Sequence, residues 1–214
     1  MDGAGGMDGH VVTDAAELRA LVGEPTERAK GKTRPALSAM HLEFLARSPL
    51  AMIATCDADG NMDVSPKGDP PGFAHVLDET HLAVPERPGN KRMDGFHNVL
   101  TDPRVATLWL VPGRGDTLRI NGRARIVRDA SYFDRCVVKG HRPSLALEIE
   151  VQQVFFHCSK AFMRSRAWEP ESWNVEGLPS PAQIAKAFAP DASLAELEEY
   201  YTGPGYAESM YRGR

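Results

Sequence analysis

Residues 87–98, RPGNKRMDGFHN, carry the densest candidate chemistry in the chain. A Pro-Gly turn is followed by Asn90, Lys91 and Arg92, and then by a segment able to start a helix. Backbone N–H groups released at such a turn, with cations beside them, make a seat for a phosphate. A basic helix start is unfavourable for the helix dipole, and a bound anion would offset it. The same residues also describe an ordinary solvated turn, and at this level both readings stand. SPKGDPPG, residues 65–72, offers a hydroxyl (Ser65) and an ammonium (Lys67) at the end of a strand, within reach of a phosphate or a ring carbonyl. A Pro/Gly-rich loop is the plain alternative.

Two further segments carry cations at regular spacing. In TLRINGRARIV, Arg119 and Arg123 share a strand face with Asn121, and Leu118, Ile120 and Ala124 face the other way. In HCSKAFMRSRAW, Lys160, Arg164 and Trp168 fall at helical i, i+4, i+8 positions, which would form one basic-aromatic stripe. His157 and Cys158 are neighbours on a strand and point to opposite faces, which argues against a catalytic dyad. The remaining histidines have no metal-ligand spacing. No Walker A, G-x-S-x-G or strand-linked G-x-G-x-x-G sequence occurs.

The elements that must position these residues follow from periodicity and capping. Thr13 is expected to cap a helix through AAELRALV that Gly23 ends. GEPTERAKGKTRPA reads as a connector. Ser38 is expected to cap a second helix whose apolar face is Met40, Phe44 and Leu45. From Leu50 the pattern turns to strands: LAMIATC, a DADGN hairpin turn, NMDVSP, FAHVL, HLAVP, RVATLWLVP, TLRINGRARIV and LALEIEVQQVFFHC. Asn121-Gly122 is either a two-residue turn or part of one long strand with a glycine at a close approach. The long strand is preferred, because a turn would leave two stubs. Helices are expected at MDGFHNVLTDP, DASYFDRCVVKG (Asp129 to Gly140), SKAFMRSRAW, PAQIAKAF and SLAELEEYY. Strands clustered between helices, without βαβ alternation, predict an α+β fold on an antiparallel sheet or barrel.

The 214 residues are 42% hydrophobic and 25% charged, the balance of a globular protein with a full core. A net charge of −4 excludes a global basic footprint for nucleic acid, so anion recognition has to be local. No apolar run is long enough to span a membrane. Three scattered cysteines and the lack of a signal-peptide pattern predict a cytoplasmic protein. Residues 1–10 read as a disordered Gly/Asp-rich terminus, with Met7 as an alternative start.

The chain resembles the pyridoxamine 5′-phosphate oxidase-related, FMN-binding split-barrel superfamily, and within it a bacterial subfamily of FMN-dependent flavoproteins. The stretches carrying the match are ELRALVGEPTERAKGK, SPLAMIATCDADGNMDVSPKGDPPGF, HLAVPERPGNKRMDGFHNVLTDPRVATLWLVPG, TLRINGRARI and HCSKAFMRSRAWEP, across residues 11–173. The resemblance implies a six-stranded antiparallel split β-barrel with flanking helices over residues 11–175, followed by a helical C-terminal extension over residues 176–214. It implies a homodimer holding FMN at its interface and acting as an oxidoreductase on a small molecule. Residue by residue, it suggests Val64, Ser65, Pro66 and Lys67 on the second strand, and Val84, Pro85, Arg87, Asn90, Lys91 and Arg92 at the turn. From the partner subunit it suggests Leu118 and Arg119, with Arg164 and Trp168 near the ring or phosphate. The second strand reads VSPKGD where the vitamin-synthesising oxidases carry Arg-x-x-x-x-Lys, and their C-terminal substrate-binding Arg/His segment has no clear counterpart, so the substrate is left open. Alternatives are a haem-binding split barrel using His157 or His97, a non-catalytic flavin carrier or redox sensor, and a deazaflavin in place of FMN.

Overall fold

Alternating burial along LAMIATC sets the frame of the fold: Ala51, Ile53 and Thr55 point into the core while their neighbours do not. A computed structural model describes residues 9–212. The expectation for the extreme N-terminus, including Met7, therefore lies largely outside the described residues. The chain divides into two units, Met1–Thr33 and Arg34–Arg214.

The first unit holds helices α1 (Ala15–Val22) and α2 (Glu27–Lys30). Asp14, not Thr13, caps α1: its Oδ1 accepts from the Glu17 N–H at 2.8 Å. The Asp14 carboxylate sits one residue closer to the helix and reaches the orphan donor. Thr26 caps α2 within the stretch expected to be a connector.

The second unit begins with α3 (Ala39–Leu45), β1 (Leu50–Cys56), β2 (Met62–Gly68), β3 (His75–Val76), β4 (His81–Pro85) and α4 (Asp94–Thr101). It continues through β5 (Arg104–Leu110), β6 (Thr117–Arg128), β7 (Leu145–His157), α5 (Lys160–Ser165), α6 (Pro181–Phe188), α7 (Leu194–Thr202) and α8 (Pro204–Arg212). The seven strands form one antiparallel sheet in the order β2-β1-β5-β6-β7-β4-β3. This is the α+β split-barrel arrangement, with the two-residue β3 inside the expected FAHVL strand making seven strands where the resemblance implies six. The long strands β6 and β7 form its spine.

Gly122 resolves the ambiguity in TLRINGRARIV. β6 runs unbroken for 12 residues, with a register shift between Asn121 and Gly122. A Cβ at Gly122 would lie 1.9 Å from the Glu150 carbonyl oxygen, so the glycine marks a backbone approach and not a turn. The core packs Ile53, Leu82, Val84, Trp109, Leu118, Ile120, Ile149 and Val154 around the sheet, with Phe44, Leu45, Phe96 and Val99 from α3 and α4.

Three helix expectations change. Met40 is 68% exposed, and α3 buries His41 beside Phe44 and Leu45 instead. Residues 131–136 form a 3-10 turn, because Asp129 takes a left-handed conformation (φ 58°) and redirects the chain. α5 stops at Ser165 with Arg166 left-handed, so Trp168 leaves the helical stripe. It stacks on Phe162 and donates through Nε1 to the Arg114 carbonyl at 2.6 Å.

Candidate functional site

The edge strand β2 and the turn that follows β4 converge on one cavity of about 910 Å³. Pro66 is tolerated on β2 because, among the described residues, only β1 pairs with that strand. Along β2, Asp63, Ser65 and Lys67 are half-buried and Val64 and Pro66 exposed. Val64, Ser65, Pro66 and Lys67 all line the cavity.

The 87–93 turn is the second wall. The Asn90 Oδ1 accepts from the Arg92 N–H at 3.0 Å and folds the turn on itself. Lys91 and Met93 both take left-handed backbone conformations, with φ of 61° and 58°. Two such non-glycine residues within three positions store conformational strain, a feature that concentrates at ligand sites. Met93 then stands as the N-cap of α4 and makes no side-chain bond to its first turn. The Phe96 N–H is taken by the Met93 carbonyl at 2.9 Å, which leaves the dipole-aligned N–H groups of Asp94 and Gly95 at the cavity wall. Arg92 bonds Asp94 through Nε at 2.8 Å and is largely exposed.

Six cationic side chains line the cavity (Lys67, Arg87, Lys91, Arg92, Arg142 and Arg212) against three carboxylates (Asp63, Glu86 and Asp94). The lining itself is cation-rich for a chain of net charge −4, while Arg87, Arg142 and Arg212 find their counter-charges just outside it, in Asp69, Asp134 and Glu208. The cations differ in their engagement. The Arg87 Nε donates to Asp69 Oδ2 at 2.6 Å, Nη2 to the Cys136 carbonyl at 2.7 Å and Nη1 to the His141 carbonyl at 3.4 Å. Within one chain Arg87 therefore braces the turn against the 136–141 loop. The Lys67 Nζ lies 2.6 Å from Glu86 Oε2 and 5.4 Å from the centre of the Phe96 ring. Below these groups the Asn98 Nδ2 donates to Thr55 Oγ1 at 3.0 Å, tying α4 to β1.

A third wall has no sequence signal beside it. Tyr211, at the end of α8, donates its hydroxyl to Asp69 Oδ1 at 2.6 Å and stacks with His141 at 6.2 Å. Its phenol is held above the ordinary tyrosine range, first by that bond to Asp69 and then by burial. Asp69 thus joins Arg87 and Tyr211 with its two oxygens. Periodicity cannot find such a partnership, because 142 residues separate Asp69 from Tyr211.

The other expected residues lie elsewhere within one chain. Val84 and Pro85 are buried in the sheet beneath the turn. Leu118 is a core residue, and Arg119 lies over the Phe155 ring at 5.3 Å. Arg164 is exposed on α5. None of these, nor Trp168, His97 or His157, is among the residues that line the cavity.

A family model described as pyridoxamine 5′-phosphate oxidase matches residues 37–158, which contain β1 to β7 and both walls of the turn and edge strand. None of the curated proteins matches the chain. Similar solved structures include HupZ of Group A Streptococcus, 18% identical, covering 56% of this chain and 93% of that one at a TM-score of 0.45. A protein of Clostridium acetobutylicum related to general stress protein 26 is 11% identical, covering 54% and 83% at 0.40. An FAD-binding protein of Mesorhizobium loti is 20% identical, covering 58% and 96% at 0.39.

Proposed function

This chain belongs to the pyridoxamine 5′-phosphate oxidase family, and we propose that it is a flavin mononucleotide-binding oxidoreductase acting on a small molecule, with the flavin phosphate seated at the 87–93 turn. The observation that carries this reading is the cation-rich cavity at the uncapped start of α4. The donor set fits the group: backbone N–H groups and cations suit a phosphate, Ser65 adds a hydroxyl, and the volume lies within the range of about 300–1,000 Å³ usual for small-ligand sites. A bound flavin would supply the redox chemistry at its ring.

The chain's own residues hold and orient. Asn90 shapes the turn, Lys91 and Arg92 supply positive charge, and Ser65 and Lys67 face the cavity from β2. No side chain is assigned as a catalytic acid or base. Arg87, braced by Asp69, acts in this reading by fixing the turn. The histidines named for haem, His97 and His157, do not line the cavity, whereas His141 does, stacked with Tyr211.

The functional unit in this reading is a cytoplasmic homodimer. Its partner subunit would bring Arg119 and the β6 backbone at Leu118, whose side chain is buried in its own core, to the flavin, with Arg164 and Trp168 near the ring or phosphate. The three free cysteines suit a reducing compartment, and among the described residues no helix is long and apolar enough to cross a membrane. The test is the visible absorption spectrum of the purified protein, followed by mass spectrometry of the released ligand. A flavin spectrum with a ligand of FMN mass supports the reading. A Soret band, or a protein that stays colourless after incubation with FMN, removes it.

A further inference from the structure

Besides the exposed Arg92–Asp94 pair, two more buried ion pairs stand at the cavity, Arg87–Asp69 and Lys67–Glu86, and they are built differently. Asp69 is 2% exposed at its side chain and uses both oxygens, one on Arg87 and one on Tyr211. That pair is part of the framework. Lys67 and Glu86 are both about one-fifth exposed, both line the cavity, and meet through one contact of 2.6 Å between Nζ and Oε2. Lys67 stands on β2, and Glu86 is the first residue after β4, fixed by its own N–H to the Leu145 carbonyl at 2.9 Å. A carboxylate on a fixed backbone therefore sits against an ammonium on a flexible stem, at the wall of an anion-seeking cavity.

We propose that Glu86 is a positioning residue that acts through Lys67: it holds the ammonium in the ligand-free protein and gives it up to the anionic part of the ligand on binding. The inference rests on the reading of the cavity as the seat of an anionic flavin. A half-buried lysine without a counter-charge carries a desolvation cost, and Glu86 offsets that cost when the cavity holds only water. A ligand anion replaces Glu86 at Lys67, so the site's affinity is set by the difference between two anions competing for one ammonium. The arrangement moderates binding of any anion that reaches Lys67, since that anion has to displace a carboxylate, whereas a neutral ligand leaves the pair intact.

Glu86→Gln separates this role from a structural one, because the two readouts move in opposite directions. The full-length variant is expected to melt at lower temperature than the parent without ligand, and to bind FMN about tenfold more tightly, as loss of one competing charge contact predicts. Inorganic phosphate, used alone, is expected to raise the melting temperature of Glu86→Gln more than that of the parent. The extra gain should vanish in the Lys67→Met/Glu86→Gln double variant, which folds without an unpaired ammonium. Glu86→Asp keeps the charge and is expected to retain the parent's affinity more closely than Glu86→Gln does.

Loss of both stability and affinity in Glu86→Gln would make Glu86 structural and overturn the inference. So would unchanged affinity, or a phosphate response equal to the parent's. If FMN binds parent and variant equally, the exchange fails and the flavin reading stands. If FMN binds neither, while phosphate stabilises Glu86→Gln selectively, the exchange stands and the flavin reading fails.

Discussion

Arg92 shows how little a residue's type decides alone. It follows a turn shaped by Asn90, pairs with Asp94, and stands next to two left-handed residues at the start of α4. A phosphate there would take charge-assisted hydrogen bonds of about 1.5–3 kcal/mol each. Arg92→Ala is therefore expected to weaken FMN binding about ten- to hundredfold while leaving the melting temperature of the ligand-free protein within about 1 °C. Equilibrium titration of flavin fluorescence measures the first effect and calorimetry the second.

His41 is the residue whose role the sequence left unassigned. The Ser38 N–H donates to its Nδ1 at 3.0 Å, so that nitrogen carries no hydrogen in the native state. Burial, and then the Arg34 charge, lower its pKa below 6.5. The unfolded chain consequently binds a proton at a higher pH than the folded one. The contribution is constant above about pH 7 and is lost as pH falls below about 6.5 towards the folded value. Melting temperatures measured between about pH 7.5 and pH 5 should fall more steeply in the parent than in His41→Gln, which keeps an acceptor but does not titrate.

At the scale of elements, helix α8 is the least anticipated part. It has no buried residues, yet its last turn brings Tyr211 and Arg212 to the cavity. Its start packs Tyr206 against Tyr200 and Tyr201 at ring distances near 5 Å, and its end is fastened by the Tyr211 hydroxyl. A helix of nine residues has little stability of its own, so these two attachments decide whether it stays docked. Tyr211→Phe is expected to speed hydrogen exchange of the backbone amides in residues 204–212 severalfold and leave the β6 and β7 amides unchanged. Equal protection in both proteins would show that ring packing alone holds the helix.

For the whole molecule, the exposed edge matters most. Met62 is 68% and Val64 60% exposed on β2, a strand with one side unpaired among the described residues. Apolar side chains on an open edge favour association, which agrees with the proposed homodimer. Met62→Glu is expected to shift the protein from dimer to monomer by sedimentation equilibrium, to lower flavin occupancy, and to retain the far-ultraviolet circular dichroism of the parent. Retention of both dimer and flavin would place the interface elsewhere on the sheet.

Much of this architecture was legible along the chain, because local patterns encode it. An apolar run marked β1, alternation of Leu147, Ile149 and Val151 marked β7, Gly122 announced a close approach within β6, and the Pro-Gly-Asn-Lys-Arg run marked the turn at the cavity. Capping was readable to within a residue, as the move from Thr13 to Asp14 shows. These features depend on neighbours within one or two turns of backbone, where residue type and spacing act directly. Only the tertiary structure decided that Lys67 meets Glu86, that Asp69 joins Arg87 to Tyr211, and that the last helix walls the site. Those contacts span 18 to 142 residues. They depend on the order in which strands pair and on where a loop is carried by the sheet, and no periodicity in a linear sequence records either.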